Sequence, residues 1–308
     1  MRICSFVPSG TEILYALGLG EAVVGVSHEC DYPPDALKKP RLIRAVIDRE
    51  RPSREIDQAV RRSLEGAESL YRIDGAALAA AAPDLVITQA LCEVCAAGPG
   101  QLDEALNQLP IRPQVITLHP HALEKVLEEI QLLGEWTGRR QQARALITGW
   151  RDRLERLQKL LEGIGYRPRV FCLEWLEPPM AAGHWVPEMV EYAGGREILG
   201  RAGAASRYVT EEEIEAAAPE ILIVMPCGFS VERTRRELPL LAGRPWWSRV
   251  PAVRDGRVYL VDAPAYFNRS GPRLIDGIEL LAGLLHPDRC ASLIPHGAAV
   301  GVTTAAGL

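Results

Sequence analysis

Leu78-Ala-Ala-Ala-Ala-Pro-Asp-Leu-Val-Ile87 and Ile214-Glu-Ala-Ala-Ala-Pro-Glu-Ile-Leu-Ile223 are matching segments of a single 308-residue chain. In each, an alanine-rich stretch suited to a helix is stopped by proline, an acid follows, and an apolar run begins. A helix feeding a buried strand in this way belongs to a parallel α/β sheet. Its recurrence predicts two related lobes.

A second pair of segments occurs in the same order. Glu12-Ile-Leu-Tyr-Ala-Leu-Gly18 and Glu188-Met-Val-Glu-Tyr-Ala-Gly194 have the same length and the same ends. The spacing of Ser9 and Glu12 predicts a capping box at the first helix, and Pro187 predicts the start of the second. Ile3–Pro8, Val23–Ser27, Leu85–Thr88 and Gln114–Leu118 read as strands of the first lobe. Arg169–Trp175 and Ile221–Met225 read as strands of the second.

Between them, residues 122–163 carry no strand pattern. Leu123, Val126, Leu127, Ile130 and Leu133, then Leu146, Ile147, Trp150, Leu154, Leu157 and Leu161, recur at helical steps. The expectation is a long helix bracing both lobes, broken once at Gly134 or Gly138. The predicted boundaries are an N-terminal lobe over 1–120, the brace over 121–165, a C-terminal lobe over 166–290 and a flexible tail over 291–308.

Composition narrows the function. The net charge is −5, with no block of lysine and arginine, which argues against nucleic acid as a partner. No run of apolar residues is long enough to span a membrane. Met1-Arg2 leads directly into a strand-like run, without the apolar region and cleavage site of a signal peptide. As written, this reads as a cytoplasmic protein, and as a periplasmic one if a leader precedes it. Seven cysteines are an odd number for a disulfide framework. The motifs of common hydrolases, P-loop proteins and dinucleotide-binding enzymes are absent, so no catalytic residue is assigned.

In open α/β sheets, ligands bind beyond the carboxyl ends of the strands. His28 and Cys30 follow one such strand, Cys92 and Cys95 another, and Cys227 a third. Trp175, His184 and Trp185 follow the strand at Arg169. Thiolates and imidazole are ligands for zinc or an iron–sulfur cluster, so Cys30, Cys92, Cys95, Cys227 and His28 form a candidate metal set. Tyr32, Trp175, Trp185, Phe229, Tyr266 and Phe267 offer flat faces to a planar ligand. His184 is a candidate axial ligand or hydrogen-bond donor. Arg269 and Arg273 suit carboxylate or amide groups. His119 and His121 are expected to cap the brace. Cys4 and Cys172, inside strands, are expected in the core.

The opening Ser5-Phe-Val-Pro-Ser-Gly-Thr-Glu-Ile-Leu-Tyr-Ala-Leu-Gly-Leu-Gly20, with Ala82-Pro-Asp-Leu-Val-Ile-Thr88 and Val253-Arg-Asp-Gly-Arg-Val-Tyr-Leu-Val261, resembles the class III periplasmic binding proteins. The likeness covers roughly residues 2–287. His28-Glu-Cys-Asp-Tyr-Pro33, Leu91-Cys-Glu-Val-Cys95, Met225-Pro-Cys-Gly-Phe229 and Tyr266-Phe-Asn-Arg-Ser-Gly-Pro-Arg273 resemble its cobalamin-binding branch. The resemblance implies two Rossmann-like lobes joined by one long helix. It also implies capture of a corrinoid or related metal chelate in an inter-lobe cleft, and a permease of an ABC importer as partner. The alternative is a cytoplasmic metalloprotein holding a metal or iron–sulfur cluster through its cysteines.

Overall fold

A computed structural model describes residues 1–66, 69–90 and 99–302. The chain divides into two compact units. The first comprises residues 1–51, 55–120 and 124–148, and the second residues 52–54, 121–123 and 149 onward.

The first unit holds a six-stranded sheet among the described residues. Its strands are β1 (Ile3–Ser5), β2 (Val23–Ser27), β3 (Arg41–Ala45), β4 (Tyr71–Ile73), β5 (Leu85–Gln89) and β6 (Gln114–Leu118). Their order is β4-β3-β2-β1-β5-β6, parallel except for β4 at the edge. The helices are α1 (Pro8–Ala16), α2 (Ser53–Glu65), α3 (Gly75–Ala81), α4 (Pro99–Asn107) and α5 (Leu123–Trp136). Cys4 and Val86, fully buried, join Leu42, Leu78 and Leu106 in one core of this unit.

The expected brace is two helices. After α5, the chain turns at Gly138, which has φ +70, and resumes as α6 (Arg140–Leu161). Strands β7 (Arg169–Trp175), β8 (Met180–Ala181), β9 (Arg196–Glu197), β10 (Arg207–Tyr208), β11 (Ile221–Val224), β12 (Val258–Val261) and β13 (Ala299–Gly301) build the second sheet. Its main order is β10-β8-β7-β11-β12-β13, with β9 beside β7. The central strands β7, β11 and β12 are parallel. The helices here are α7 (Val186–Tyr192), α8 (Glu211–Ala217), α9 (Val231–Ala242), α10 (Pro251–Arg254), α11 (Ala263–Tyr266), α12 (Leu274–Leu285) and α13 (Pro287–Cys290). Arg153 on α6 clamps α12 through Asp276 and Glu279, both at 2.6 Å.

The repeated segments adopt the same geometry in detail. Helix α3 ends at Ala82 and α8 at Ala218, both in the left-handed region, at φ 39 and 47. The acid after each proline then accepts a backbone N–H from the neighbouring strand, Asp84 from Arg2 at 2.7 Å and Glu220 from Arg169 at 2.8 Å. The second pair matches too. Gly18 and Gly194 take φ +75 and +82, conformations that cost glycine little. Each closes its helix with the same two bonds, Gly18 N–H to Tyr15 O and Leu19 N–H to Leu14 O against Gly194 N–H to Glu191 O and Gly195 N–H to Val190 O.

One expectation is corrected. Helix α1 begins at Pro8, with Val7 as a cap that makes no side-chain bond, so Ser9 and Glu12 lie inside the helix, buried, and form no capping box. Proline, pre-set for a first helical position, starts the helix two residues early. A true capping box opens α8 instead, between Thr210 and Glu213. Within the C-terminal stretch, Ala299–Gly301 forms a strand. Strand β13 pairs antiparallel with β12, because Val261 and Tyr259 leave an open edge that Ala299–Gly301 satisfies.

Candidate functional site

In the second unit, the carboxyl ends of β7 and β11 carry the aromatic residues expected there. Trp175 ends β7, and its ring meets Phe229 edge-on, at 5.4 Å between centroids. Its indole N–H is buried, without a hydrogen-bond partner among the described residues. Such a donor calls for an explanation, since buried polar groups are normally paired. Phe229 is itself buried, and the Arg233 guanidinium lies 4.6 Å over its ring. Arg233 pairs with Glu237 at 2.9 Å, and Glu237 accepts the N–H of Ser53 at 2.9 Å. The sequence reading missed Arg233 and Glu237, although their four-residue spacing on a helix after the Ser230 cap is a visible signal.

The loop between β11 and α9 is pinned from two sides. Cys227 donates its N–H to the Glu174 carbonyl at 2.9 Å, and Gly228 donates to Asn268 Oδ1 at 3.0 Å. The Cys227 side chain is exposed. Asn268 belongs to the loop between α11, which ends at Tyr266, and α12; Tyr266 and the loop residues Arg269 and Arg273 are all partly exposed. That loop is therefore coupled to the aromatic pair through the Asn268 side chain.

His184 and Trp185 have different roles. Trp185 is 3% exposed, and its indole N–H donates to the carbonyl of Phe267 at 2.8 Å. It supports the loop from behind and presents no open face, and Phe267 is buried with it. His184 is partly exposed and has φ +52, a strained conformation for a side chain with a Cβ. Two bonds hold it there, its own N–H to Ala204 O at 2.6 Å and Gly203 N–H to its carbonyl at 2.9 Å. Preceding it, Gly183 packs so closely that a Cβ would lie 2.4 Å from Ala204 O. Glycine is required by that approach.

His121 was expected to cap the brace, and its ring lies against that of His184. It stacks on His184, with centroids 5.6 Å apart and planes inclined 28°. The N–H of Leu123, at the start of α5, is taken by Glu188 at 2.7 Å. Glu129 accepts the N–H of His119.

In the first unit, His28 follows β2 and packs against Tyr71 at 5.9 Å. Burial lowers its pKa, against the opposing pull of Glu29, 3.7 Å away, which Arg49 also engages at 2.7 Å. Cys30 is 1% exposed, and its Sγ accepts the Thr11 hydroxyl at 3.1 Å. Its carbonyl accepts a bond from Arg41 at 2.7 Å. Tyr32 is exposed. Cys92 and Cys95, the other two members of the expected thiol set, lie outside the described residues. Among the described residues, no three His, Cys, Asp or Glu side chains gather closely enough to hold a metal ion. Cys4 and Cys172 are core residues as expected, and burial raises both thiols, that of Cys4 to about 12.

Comparison with known proteins gives the architecture its context. The vitamin B12-binding protein of Vibrio cholerae serotype O1 is 24% identical over 281 residues, covering 90% of this chain and 86% of its own. An uncharacterised ABC transporter substrate-binding lipoprotein of Bacillus subtilis is 26% identical over 293 residues, covering 93% and 80%. A periplasmic heme-binding protein from Pseudomonas aeruginosa superposes with a TM-score of 0.71 at 22% identity, covering 94% of this chain and 93% of its own. The crystallised vitamin B12-binding protein of Vibrio cholerae superposes with a TM-score of 0.62 at 23% identity, over 92% and 96%. The sequence signature of the periplasmic binding proteins runs over residues 3–265, and the chain belongs to that family, with the class III fold its opening segment resembled.

Proposed function

We propose that this chain is the capture component of an ABC importer and that its cargo is a corrinoid or a closely related metal chelate, bound without chemical turnover. Its working location in this reading is outside the cytoplasmic membrane and its partner is the importer's permease, in keeping with the relative described as an ABC transporter substrate-binding lipoprotein. The observation that carries the reading is the Trp175 indole, at the carboxyl end of β7 beside Phe229, with a buried N–H that no described residue accepts. An aromatic face with one unspent donor suits a flat macrocycle with amide or carboxylate side arms. Arg269 and Arg273 add cationic donors in the loop that Asn268 ties to this wall. The vitamin B12 and heme specificities of the relatives support the same class of cargo.

The test is titration of the purified chain with cobinamide, hydroxocobalamin, haemin and a ferric siderophore, followed by visible absorption and calorimetry. One equivalent of a corrinoid, bound with a shifted spectrum, is the expected result. Binding of haemin or siderophore alone would replace the corrinoid, and binding of none of the four would remove the proposal.

A further inference from the structure

Two imidazoles of the second unit meet edge to edge. Nδ1 of His121 stands 3.5 Å from Nδ1 of His184, whereas the ring centroids are 5.6 Å apart. The rings therefore converge on each other through their Nδ1 edges. A hydrogen bond from nitrogen normally spans about 2.7–3.2 Å, so this separation is long for one. Two imidazole nitrogens sharing a tetrahedral cation at about 2.0–2.1 Å each would stand about 3.3 Å apart. The observed spacing agrees within about 0.2 Å, the tolerance expected of a preformed site.

The main chain that carries each histidine is also pinned by hydrogen bonds. His184 is locked in its strained conformation by the bonds to Ala204 and Gly203. His121 lies two residues before Leu123, whose N–H is fixed by Glu188. Strain retained at a partly exposed histidine marks a position where geometry matters.

From this we infer that His121 and His184 form a two-nitrogen clip for a late first-row divalent cation, the class that imidazole favours. Its other coordination positions are taken by water or by donor atoms of a bound small molecule. As the cation enters, a proton on Nδ1 relocates to Nε2 of the same ring, so neutral histidines bind it without a separate base. The clip stands independently of the corrinoid reading.

Cobalt(II) chloride, titrated into untagged protein under nitrogen, tests the clip through its d–d absorption. The expected result is one equivalent per chain, with affinity lowered about tenfold or more in His121→Ala and in His184→Asn. Asparagine is chosen because it tolerates the left-handed backbone, so the loop keeps its shape. His119→Ala keeps the wild-type affinity. A sulfur-to-cobalt charge-transfer band that survives both substitutions would overturn the proposal, as would an absence of uptake at millimolar cobalt. Corrinoid titration of the same variants is read separately, so a failure of cargo binding with cobalt binding intact counts against the function alone.

Discussion

The carboxylate of Glu220 accepts the backbone N–H of Arg169 at 2.8 Å, at the point where β11 begins beside β7. The guanidinium of Arg169 reaches back to the carbonyl of Ala218, which ends α8, at 2.9 Å. The same lock occurs in the other unit, where Arg2 donates through its N–H to Asp84 and through Nε to the carbonyl of Ala81. Two residues thus fix a helix end, a proline turn and a strand start together.

Glu220→Ala is therefore expected to destabilise the second unit by about 1–3 kcal/mol, measured by urea unfolding. Asp84→Ala should cost less, about 0.5–1 kcal/mol, because Asp84 is 63% exposed against 27% for Glu220. The effect depends on pH. Burial pushes the Glu220 carboxyl up, but the Arg169 N–H, Tyr166 and the charges of Arg169 and Arg257 outweigh it and leave its pKa lowered. Its contribution is present above the ordinary glutamate range and is lost as pH falls through the lowered value.

Gly183→Ala would place a Cβ 2.4 Å from Ala204 O and 2.6 Å from Ser206 N, both backbone atoms that cannot swing aside. A loss of about 1–3 kcal/mol is expected on thermal or urea unfolding. Because the strained His184 follows directly, cobalt affinity should fall along with stability. An unchanged cobalt titration in a destabilised Gly183→Ala would show that the loop absorbs the strain away from the histidine.

How much of this was legible in the sequence depends on how local the cause was. The helix–proline–acid–strand unit at Pro83 and Pro219 is written in ten contiguous residues, and its hydrogen bonds follow from that local order. Strand β3 was missed because Arg41 and Arg44 interrupt its apolar pattern. Strand β13 was hidden for a different reason, since Ala299–Gly301 has little strand propensity and exists through its pairing with β12. The aromatic character of Trp175 and Trp185 was visible, but not which one is buried. That is decided by Phe267, 82 residues from Trp185. His121 and His184 are 63 residues apart, and no periodicity links them.

Trp175→Phe separates ligand contact from packing. Removing a buried indole N–H that has no partner deletes an unsatisfied donor, so stability should be unchanged or slightly higher. If the donor serves the cargo, corrinoid affinity falls by about tenfold, the loss of one hydrogen bond of about 1.4 kcal/mol. Lower stability with unaltered affinity would assign Trp175 to packing alone.

Glu129 gives the protein a pH dependence of opposite sign. Burial pushes its carboxyl up to about 7, against the N–H of His119, with the charge of Glu128 adding to the rise. One oxygen, Oε2, is buried without a partner among the described residues. Between the unfolded value of about 4.3 and the folded value of about 7, the native state holds more protons than the unfolded state. The contribution of this group to stability therefore falls as pH rises through that window and stays low above it. Glu129→Gln keeps an oxygen for the His119 N–H and removes the ionisation, so it should flatten the dependence. At pH 8 it should be more stable than the wild type by about 1–3 kcal/mol, and at pH 4 the two should be nearly equal. Urea unfolding at both values measures this, and a Glu129→Gln curve parallel to the wild type would show that the carboxyl stays ionised in the fold.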